Sequence, residues 1–291
     1  MAGTVTKTER TFVDAEGVTI HYYTWAAPSP VAVLQLAHGL GEYAGRYEYL
    51  AQALVSAGYS VYADDHRGHG QTGLQQYGGD MSKMGRLGPG GLRATIEDVR
   101  QLTTLAREEN PGLPVAILGH SWGSLMLQTI LNTHAGDYDA AILTGTAYRR
   151  PGSMNAGQLN ARFKHLGTTG SEWLSRDPAV AQAFLDDPLT FYADTLKLFG
   201  LADGLRLFGT PTKTIEKDIP LLIAIGSEDP LGGEKSVRTL AEKYIERSKL
   251  TDVEVIVYSG ARHEIFNETN KDEAVGDLVA WLDSRLKTGV A

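Results

Sequence analysis

Residues 115–131 read VAILGHSWGSLMLQTIL, and this stretch decides the fold. It begins as a short apolar run, passes through Gly-His-Ser-Trp-Gly and continues as an apolar helical pattern. A serine in a G-x-S-x-G turn between a strand and a helix is typical of a nucleophile elbow. The glycines allow a sharp turn in which bulkier side chains would collide. Ser121 is therefore the candidate nucleophile; the alternative is a serine that only caps the helix.

Similar apolar runs occur on both sides of this stretch, and helical patterns separate them. The predicted strands are 18–26, 31–37, 60–63, 115–118, 140–144, 221–225 and 253–258. The predicted helices are 47–57, 94–109, 122–131, 234–247 and 271–286. Strands that alternate with helices predict an α/β protein with a mostly parallel sheet covered on both faces.

Residues 148–215 interrupt this alternation. They contain apolar clusters but no clear strand, and we interpret them as a helical cap inserted between the core parts 1–147 and 216–291. The alternative is a peripheral subdomain with a structural role only. We expect some of the cap's apolar residues to line an acyl pocket, and its two Asp-Pro pairs to shape turns. The apolar residues are Trp173, Leu174, Phe184, Leu185, Phe191, Leu196, Leu198 and Phe199.

The composition is that of an ordinary globular protein. The chain has 291 residues, 42% apolar and 21% charged, so we expect one domain with an insertion. The polar N-terminal segment has no secretory signal pattern, and no apolar run approaches the roughly 20 residues of a membrane helix, so we expect a cytoplasmic protein. The absence of cysteine excludes disulfides and thiolate chemistry. A net charge of −8 without a basic run argues against nucleic acid as a partner.

A serine nucleophile needs a base and an acid that orients it, and on this type of sheet their order is serine, acid, histidine. Three histidines follow the serine: His134, His165 and His263. His263 lies in a loop after the last predicted strand, where open α/β sheets place their sites, so we assign it as the base. The alternative is an ordinary histidine of a surface loop. Asp229 is the predicted acid because its side chain is short and Pro follows it, with Glu228 as the alternative.

An oxyanion hole needs two main-chain donors. One should be the N–H of the residue after the nucleophile, Trp122, and the other should come from a loop after an early strand. His38-Gly39-Leu40-Gly41 is such a loop, and we choose Leu40 as the second donor. His38 is interpreted as a residue that stabilises the loop.

Five motifs together extend the picture: HGLGEYAGRYEYLAQAL, YADDHRGHGQT, GHSWGS, GSEDPLGG and ARHEIFNE. In this order they resemble the monoacylglycerol lipase and lysophospholipase group of α/β hydrolases. EWLSRDPAV and DDPLTF in the cap extend the similarity to bacterial members. The resemblance covers nearly the whole chain. It implies the α/β-hydrolase fold, with an eight-stranded, mostly parallel sheet and a helical cap.

The resemblance also implies roles for individual residues. Ser121, Asp229 and His263 fall on the catalytic triad of the group, and Leu40 and Trp122 on its oxyanion donors. These assignments coincide with those made from the residues themselves.

Two further features come from the resemblance. Glu42 and Arg46 match an acidic and a basic residue at the polar end of the substrate pocket; the alternative is an ion pair that holds the oxyanion loop. The histidines of the second motif, His66 and His69, are expected to be structural. Animal members carry a second histidine three positions after the triad histidine, and here that position is Phe266, so a preference for glycerol esters is in question.

The predicted function is hydrolysis of hydrophobic monoesters, similar to monoacylglycerols or lysophospholipids, through an acyl-enzyme. The alternatives are a carboxylesterase for other small or xenobiotic monoesters, a serine peptidase on the same fold, and a binding protein without catalysis. A dehalogenase or epoxide hydrolase would need Asp at the elbow. No cofactor or metal is expected. The expected partners are a small-molecule ester and, transiently, a membrane or micelle surface at the cap; the sequence makes no prediction of the oligomeric state.

Overall fold

The computed structural model describes residues 5–155 and 157–287, apart from the side chain of Leu196. Its sheet has eight strands: β1 (Lys7–Val13), β2 (Thr19–Trp25), β3 (Ala32–Ala37), β4 (Tyr59–Asp64), β5 (Val115–His120), β6 (Ala140–Thr144), β7 (Leu221–Gly226) and β8 (Val253–Tyr258). Their order is β1-β2-β4-β3-β5-β6-β7-β8. β2 runs antiparallel to both of its neighbours, and every other pair is parallel. The prediction of an eight-stranded, mostly parallel sheet is confirmed.

The central strands are apolar because helices cover them on both sides. Every residue of β3, β4, β5, β6 and β7 is buried. β1 is the opposite case, since its sequence KTERTFV is polar and almost fully exposed at the edge of the sheet. Charged side chains on an edge strand oppose pairing with another chain. Because β1 has no buried face, the sequence analysis did not identify it.

Eight helices accompany the sheet within the described residues. They are α1 (Glu48–Ser56), α2 (Gly70–Gln76), α3 (Gly91–Glu109), α4 (Trp122–His134), α5 (Pro178–Asp186), α6 (Thr195–Arg206), α7 (Gly233–Glu246) and α8 (Lys271–Leu286). Buried residues of α1 and α8 pack on one face of the sheet, and those of α3, α4 and α7 on the other. The short helix α2 was not predicted, because its sequence GQTGLQQ has little apolar periodicity.

The insertion between β6 and β7 is less helical than predicted. Its described residues contain two α-helices, and α6 is interrupted at Gly200, whose φ of 72° and ψ of 176° are not helical. The described residues between β6 and α5 form turns and bends, with one isolated bridge between Pro151 and Met154. The Asp177-Pro178 pair starts α5, since the Asp177 carboxylate accepts a hydrogen bond from the N–H of Ala179 at 2.9 Å. Apolar clusters separated by glycine and Asp-Pro pairs therefore gave less helix than their composition suggested.

Candidate active site

The turn at Ser121 connects β5 to α4. The backbone angles of Ser121 are φ 51° and ψ −120°, and a positive φ is rare for a residue with a side chain. Its N–H donates to the carbonyl oxygen of Thr144 on β6 at 2.9 Å, so the neighbouring strand holds the turn in place. Backbone strain of this kind persists only where the surrounding structure imposes it, and it is found at functional sites.

The glycines beside the turn let α4 approach the sheet. A Cβ atom on Gly119 would lie 2.7 Å from the carbonyl oxygen of Gly123, and one on Gly123 would collide with the carbonyl oxygen of Ala37 on β3. A larger residue at either position would push the helix away. The close approach keeps Ser121 at the N-terminus of α4, where the helix dipole favours developing negative charge.

Asp229 and His263 lie in the loops after β7 and β8 and contact each other. Nδ1 of His263 is 2.9 Å from Oδ1 of Asp229, and the two side chains are 2% and 0% exposed. The N–H of Leu231 also donates to this oxygen at 2.9 Å, which fixes the carboxylate. Glu228, the alternative acid, is exposed and pairs with Arg162 at 2.6 Å. The geometry favours Asp229 as the residue that orients the imidazole.

The ring of His263 lies beside His120, the residue before the candidate nucleophile, with 4.9 Å between the ring centroids. Nε2 of His263 is buried and makes no hydrogen bond to any described protein atom. Because Nδ1 faces Asp229, Nε2 is the nitrogen that can accept a proton. Burial lowers the pKa of this imidazole, but the carboxylates of Asp229, Glu264 and Glu42 outweigh burial and raise it above 6.5.

The loop after β3 packs directly against the nucleophile turn. A Cβ atom on Gly39 would lie 3.1 Å from Cβ of Ser121, so only a glycine lets the loop come this close. The next N–H along the loop is that of Leu40, and the next after the nucleophile is that of Trp122. The loop that carries Leu40 therefore lies against the turn that Trp122 follows, and the role of their N–H groups as oxyanion donors stays a prediction.

Buried histidines support this loop from beneath. Nε2 of His38 accepts a hydrogen bond from the N–H of His66 at 2.9 Å, so its Nδ1 carries the proton and donates to the carbonyl oxygen of Gly39 at 2.7 Å. Nδ1 of His66 is in turn 2.6 Å from Asp64. Burial lowers the pKa of His69 to about 3, which keeps this histidine neutral. These contacts fit the structural roles expected for the cluster.

Glu42 and Arg46, the predicted substrate-binding pair, are buried and lie 3.0 Å apart. Arg46 also donates two hydrogen bonds to Glu264, at 2.5 and 2.9 Å. Oε1 of Glu42 accepts the N–H of Gly39 at 2.6 Å. These contacts support the alternative interpretation, in which the pair holds the oxyanion loop, and contact with substrate stays a prediction.

The sequence analysis missed Glu264. The one available signal was an acidic residue directly after the candidate base, in ARHEIFNE. Its partner Arg46 lies 218 positions away in the chain, so no local pattern connects the two.

Three aromatic residues of the insertion cover the site. The ring of Trp173 has its centroid 4.6 Å from that of His263, and the ring of Phe199 lies 5.2 Å from that of Trp122. The N–H of Phe191 donates to a carbonyl oxygen of the loop after β3 at 3.0 Å. Aromatic residues of the insertion therefore contact the side chains of His263 and Trp122.

The other apolar cap residues differ in exposure. Leu174 and Phe184 are buried, Leu198 is half-buried, and Leu185 is exposed. Part of the predicted cluster is thus buried, and part faces solvent.

Comparison with known proteins identifies the family. The family model "Serine aminopeptidase, S33" matches residues 28–270. The chain is 32% identical to the monoacylglycerol lipase of Mycolicibacterium smegmatis over 97% of this chain and 99% of that protein. It is 28% identical to the human monoglyceride lipase over 95% and 90% of the two chains. The structure is also similar to that of a thermostable carboxyl esterase from Bacillus coagulans, with a TM-score of 0.81, 24% identity and 97% and 100% coverage.

Proposed function

The chain belongs to the serine aminopeptidase S33 family of α/β hydrolases, and we propose that it cleaves hydrophobic monoesters resembling monoacylglycerols. It is a serine ester hydrolase, as its full-length relatives named as lipases indicate. The observation that carries the substrate-cleaving role is the arrangement around one strained serine. An imidazole oriented by a buried carboxylate lies against His120, the residue before that serine, and its second nitrogen has no hydrogen-bond partner among the described protein atoms.

We propose a two-step reaction. Nε2 of His263, oriented by Asp229, takes the proton of Ser121, whose oxygen attacks the ester carbonyl carbon. The N–H groups of Leu40 and Trp122 stabilise the resulting oxyanion. The imidazolium then protonates the leaving alcohol, and the acyl group stays on the serine. A water molecule activated by the same imidazole hydrolyses the acyl-enzyme and releases the carboxylic acid.

We further propose that residues 148–215 act as a cap over a core formed by 1–147 and 216–291, and that Phe191 and Phe199 line the acyl pocket. The loops around the nucleophile are rich in glycine and polar groups, so they offer little apolar surface to an acyl chain. Each buried methylene contributes about 0.8 kcal/mol, and the cap aromatics can supply that contact. Their positions over Trp122 and the loop after β3 support this role.

The exposed side of the cap supports a transient contact with a membrane or micelle. Leu201 and Leu205 of α6 are 71% and 60% exposed, one helical turn apart, and Lys197 on the same helix is exposed. Apolar residues with a cation nearby suit the interface of a lipid surface. Among the described residues, no helix is long and apolar enough to cross a bilayer. The cytoplasmic location stays a prediction from the sequence.

Cleavage of peptides is less well supported than cleavage of esters. An aminopeptidase needs a free carboxylate to bind the α-ammonium group of its substrate. Besides Asp229, the carboxylates that influence the pKa of His263 are Glu42 and Glu264, and both are paired with Arg46.

Phe266, at the position where animal members carry a second histidine, is buried in the core, so it offers no polar contact to the alcohol of an ester.

A panel of esters tests the proposal. Wild type and Ser121→Ala are labelled with a fluorophosphonate and assayed on monoesters that vary in chain length and in alcohol, alongside amino-acid anilides. We expect labelling of wild type only, with cleavage of long-chain monoesters. Absence of labelling would contradict a serine nucleophile. Faster cleavage of anilides than of monoesters would indicate a peptidase.

The cap has its own test. Phe199→Ala should lower kcat/KM for long-chain esters more than for an acetate ester, whereas Leu185→Ala, exposed on α5 of the same insertion, should change neither. Equal losses for all chain lengths in Phe199→Ala would contradict an acyl-binding cap.

A further inference from the structure

A buried network of three charged side chains connects the two loops of the site. Arg46 lies between two carboxylates: it donates to Glu42 at 3.0 Å and to both oxygens of Glu264 at 2.5 and 2.9 Å. The side chains of all three are nearly buried, at 5%, 11% and 5% exposure for Glu42, Arg46 and Glu264. We call this network the Glu42–Arg46–Glu264 brace.

One end of the brace holds the oxyanion loop. Oε1 of Glu42 accepts the N–H of Gly39 at 2.6 Å and the hydroxyl of Tyr47 at 2.7 Å. Gly39 is the residue whose backbone packs on the nucleophile turn, and its peptide with Leu40 carries the proposed donor. A shift of Glu42 therefore moves this N–H relative to the serine.

The other end holds the loop of the base. Glu264 directly follows His263, and its N–H donates to the carbonyl oxygen of Leu174 in the cap at 2.8 Å. Its Oε2 also accepts a hydrogen bond from Asn267 at 2.9 Å. Hydrogen bonds thus hold both the main chain and the side chain of Glu264. Its contact with Arg46, which also binds Glu42, connects it to the oxyanion loop.

Stability alone does not explain such a network. Buried ion pairs lose most of their attraction to desolvation, and apolar side chains of similar volume often serve as well. Catalysis is more demanding, since misplacing a reacting group by about 1 Å can cost about 10²-fold in rate. We infer that Glu264 is a positioning residue. Through Arg46 and Glu42, it fixes the position of the base relative to the oxyanion donor. This inference rests on the proposed function.

The brace also acts on the base electrostatically. The carboxylates that act on His263 are Asp229, Glu264 and Glu42; the ring of the neutral His120 lies beside it, and Arg46 acts on His120. The first three raise the pKa of the imidazole. Removing the charge of Glu264 removes one of these carboxylates, so the pKa of the base should fall. A role in packing alone would not have this effect.

The test is Glu264→Gln in the full chain. We expect kcat on an acetate ester to fall about 10- to 100-fold, with KM within about twofold. In the pH profile of kcat/KM, the rise on the acid side should move to lower pH, because the pKa of the base is lower. Arg46→Lys, which keeps the charge but loses the paired hydrogen bonds, should show an intermediate loss of kcat, and it serves if Glu264→Gln does not fold.

The matched control is Glu268→Gln in the same loop. Glu268 is equally buried, but it binds Arg176 of the cap at 2.8 Å and the N–H of Arg262 at 2.7 Å, away from the oxyanion loop. We expect it to lower the melting temperature without moving the acid limb. An unchanged kcat and limb in Glu264→Gln, or an equal shift in Glu268→Gln, would overturn the inference. Failure of wild type to hydrolyse esters or react with fluorophosphonate would instead remove the proposed function on which it rests.

Discussion

Two buried aspartate–histidine pairs flank the nucleophile turn. In Asp229–His263 the Nδ1–Oδ distance is 2.9 Å, and in Asp64–His66 it is 2.6 Å. In both pairs Nε2 of the histidine is buried and makes no hydrogen bond within the described part of the chain. In both, burial lowers the pKa of the histidine but the carboxylates outweigh it, so both values are raised above 6.5. Local chemistry therefore does not distinguish the two pairs.

Their positions do distinguish them. His263 lies at the carboxyl end of β8, beside the residue that precedes Ser121. His66 lies after β4, where its ring stacks on His38 at 3.9 Å between centroids and its N–H donates to the same imidazole. His38 in turn holds Gly39. The comparison suggests that one pair supplies the base while the other supports the oxyanion loop from beneath.

The largest expected effect separates the two histidines directly. His263→Ala should lower kcat about 10⁴- to 10⁶-fold, as Ser121→Ala should, because loss of either member removes proton transfer and covalent catalysis together. Initial rates on an acetate ester, with circular dichroism to verify folding, measure this. A loss below about tenfold in either variant would mean that the base or the nucleophile is another residue.

The acids give the next largest contrast. Asp229→Asn should lower kcat about 10⁴-fold, because an amide cannot hold the imidazole in the required tautomer. Asp64→Asn should lose far less, and Glu228→Gln should stay near wild type because Glu228 is exposed and pairs with Arg162. Assay of the three variants side by side ranks them. A larger loss in Glu228→Gln than in Asp229→Asn would transfer the role of the acid.

The supporting pair should show a smaller and different effect. His66→Asn keeps the main-chain N–H that binds His38 and a donor toward Asp64, but it loses the stacked ring. We expect kcat/KM to fall about tenfold through the oxyanion loop, together with a lower melting temperature, because the buried Asp64 is less well paired. Thermal melts and ester kinetics on one preparation test this. A loss as large as that of His263→Ala would make the second pair part of the chemistry.

The sequence predicted the core of the fold because its signals are local. Val253–Tyr258 and Ala140–Thr144 were predicted with the bounds that the structure has, since both are short, mostly apolar runs, the second fully buried and the first at the edge of the sheet. The edge strand Lys7–Val13 has no apolar face, and the cap's apolar residues have no clear period, so these parts were missed or assigned too much helix.

The residues of the candidate site also differ in whether a local sequence pattern identifies them. Ser121 is recognisable from its neighbours in the chain, and His263 and Asp229 from their places after predicted strands. The contacts of Arg46 with Glu264, and of His66 with His38, join segments that the sequence does not relate. Residues that we propose to position others were therefore harder to predict than those that we propose to react.

The smallest expected effect is on the pH dependence of kcat/KM. It tests whether the Asp229–His263 pair alone sets this dependence. His263 must be neutral to accept the proton, and its pKa lies above 6.5 because nearby carboxylates stabilise the imidazolium. The neutral fraction grows as pH rises through this raised pKa. kcat/KM should therefore increase about tenfold per pH unit below that value and level off above it.

The pKa of His66 is raised as well, but its protonation would not remove the base. The acid limb of His66→Asn should then coincide with that of wild type to within about half a pH unit, although its plateau is lower. A limb displaced further would show that the two pairs titrate as one unit, and a profile flat from pH 5 to 8 would exclude histidine as the base.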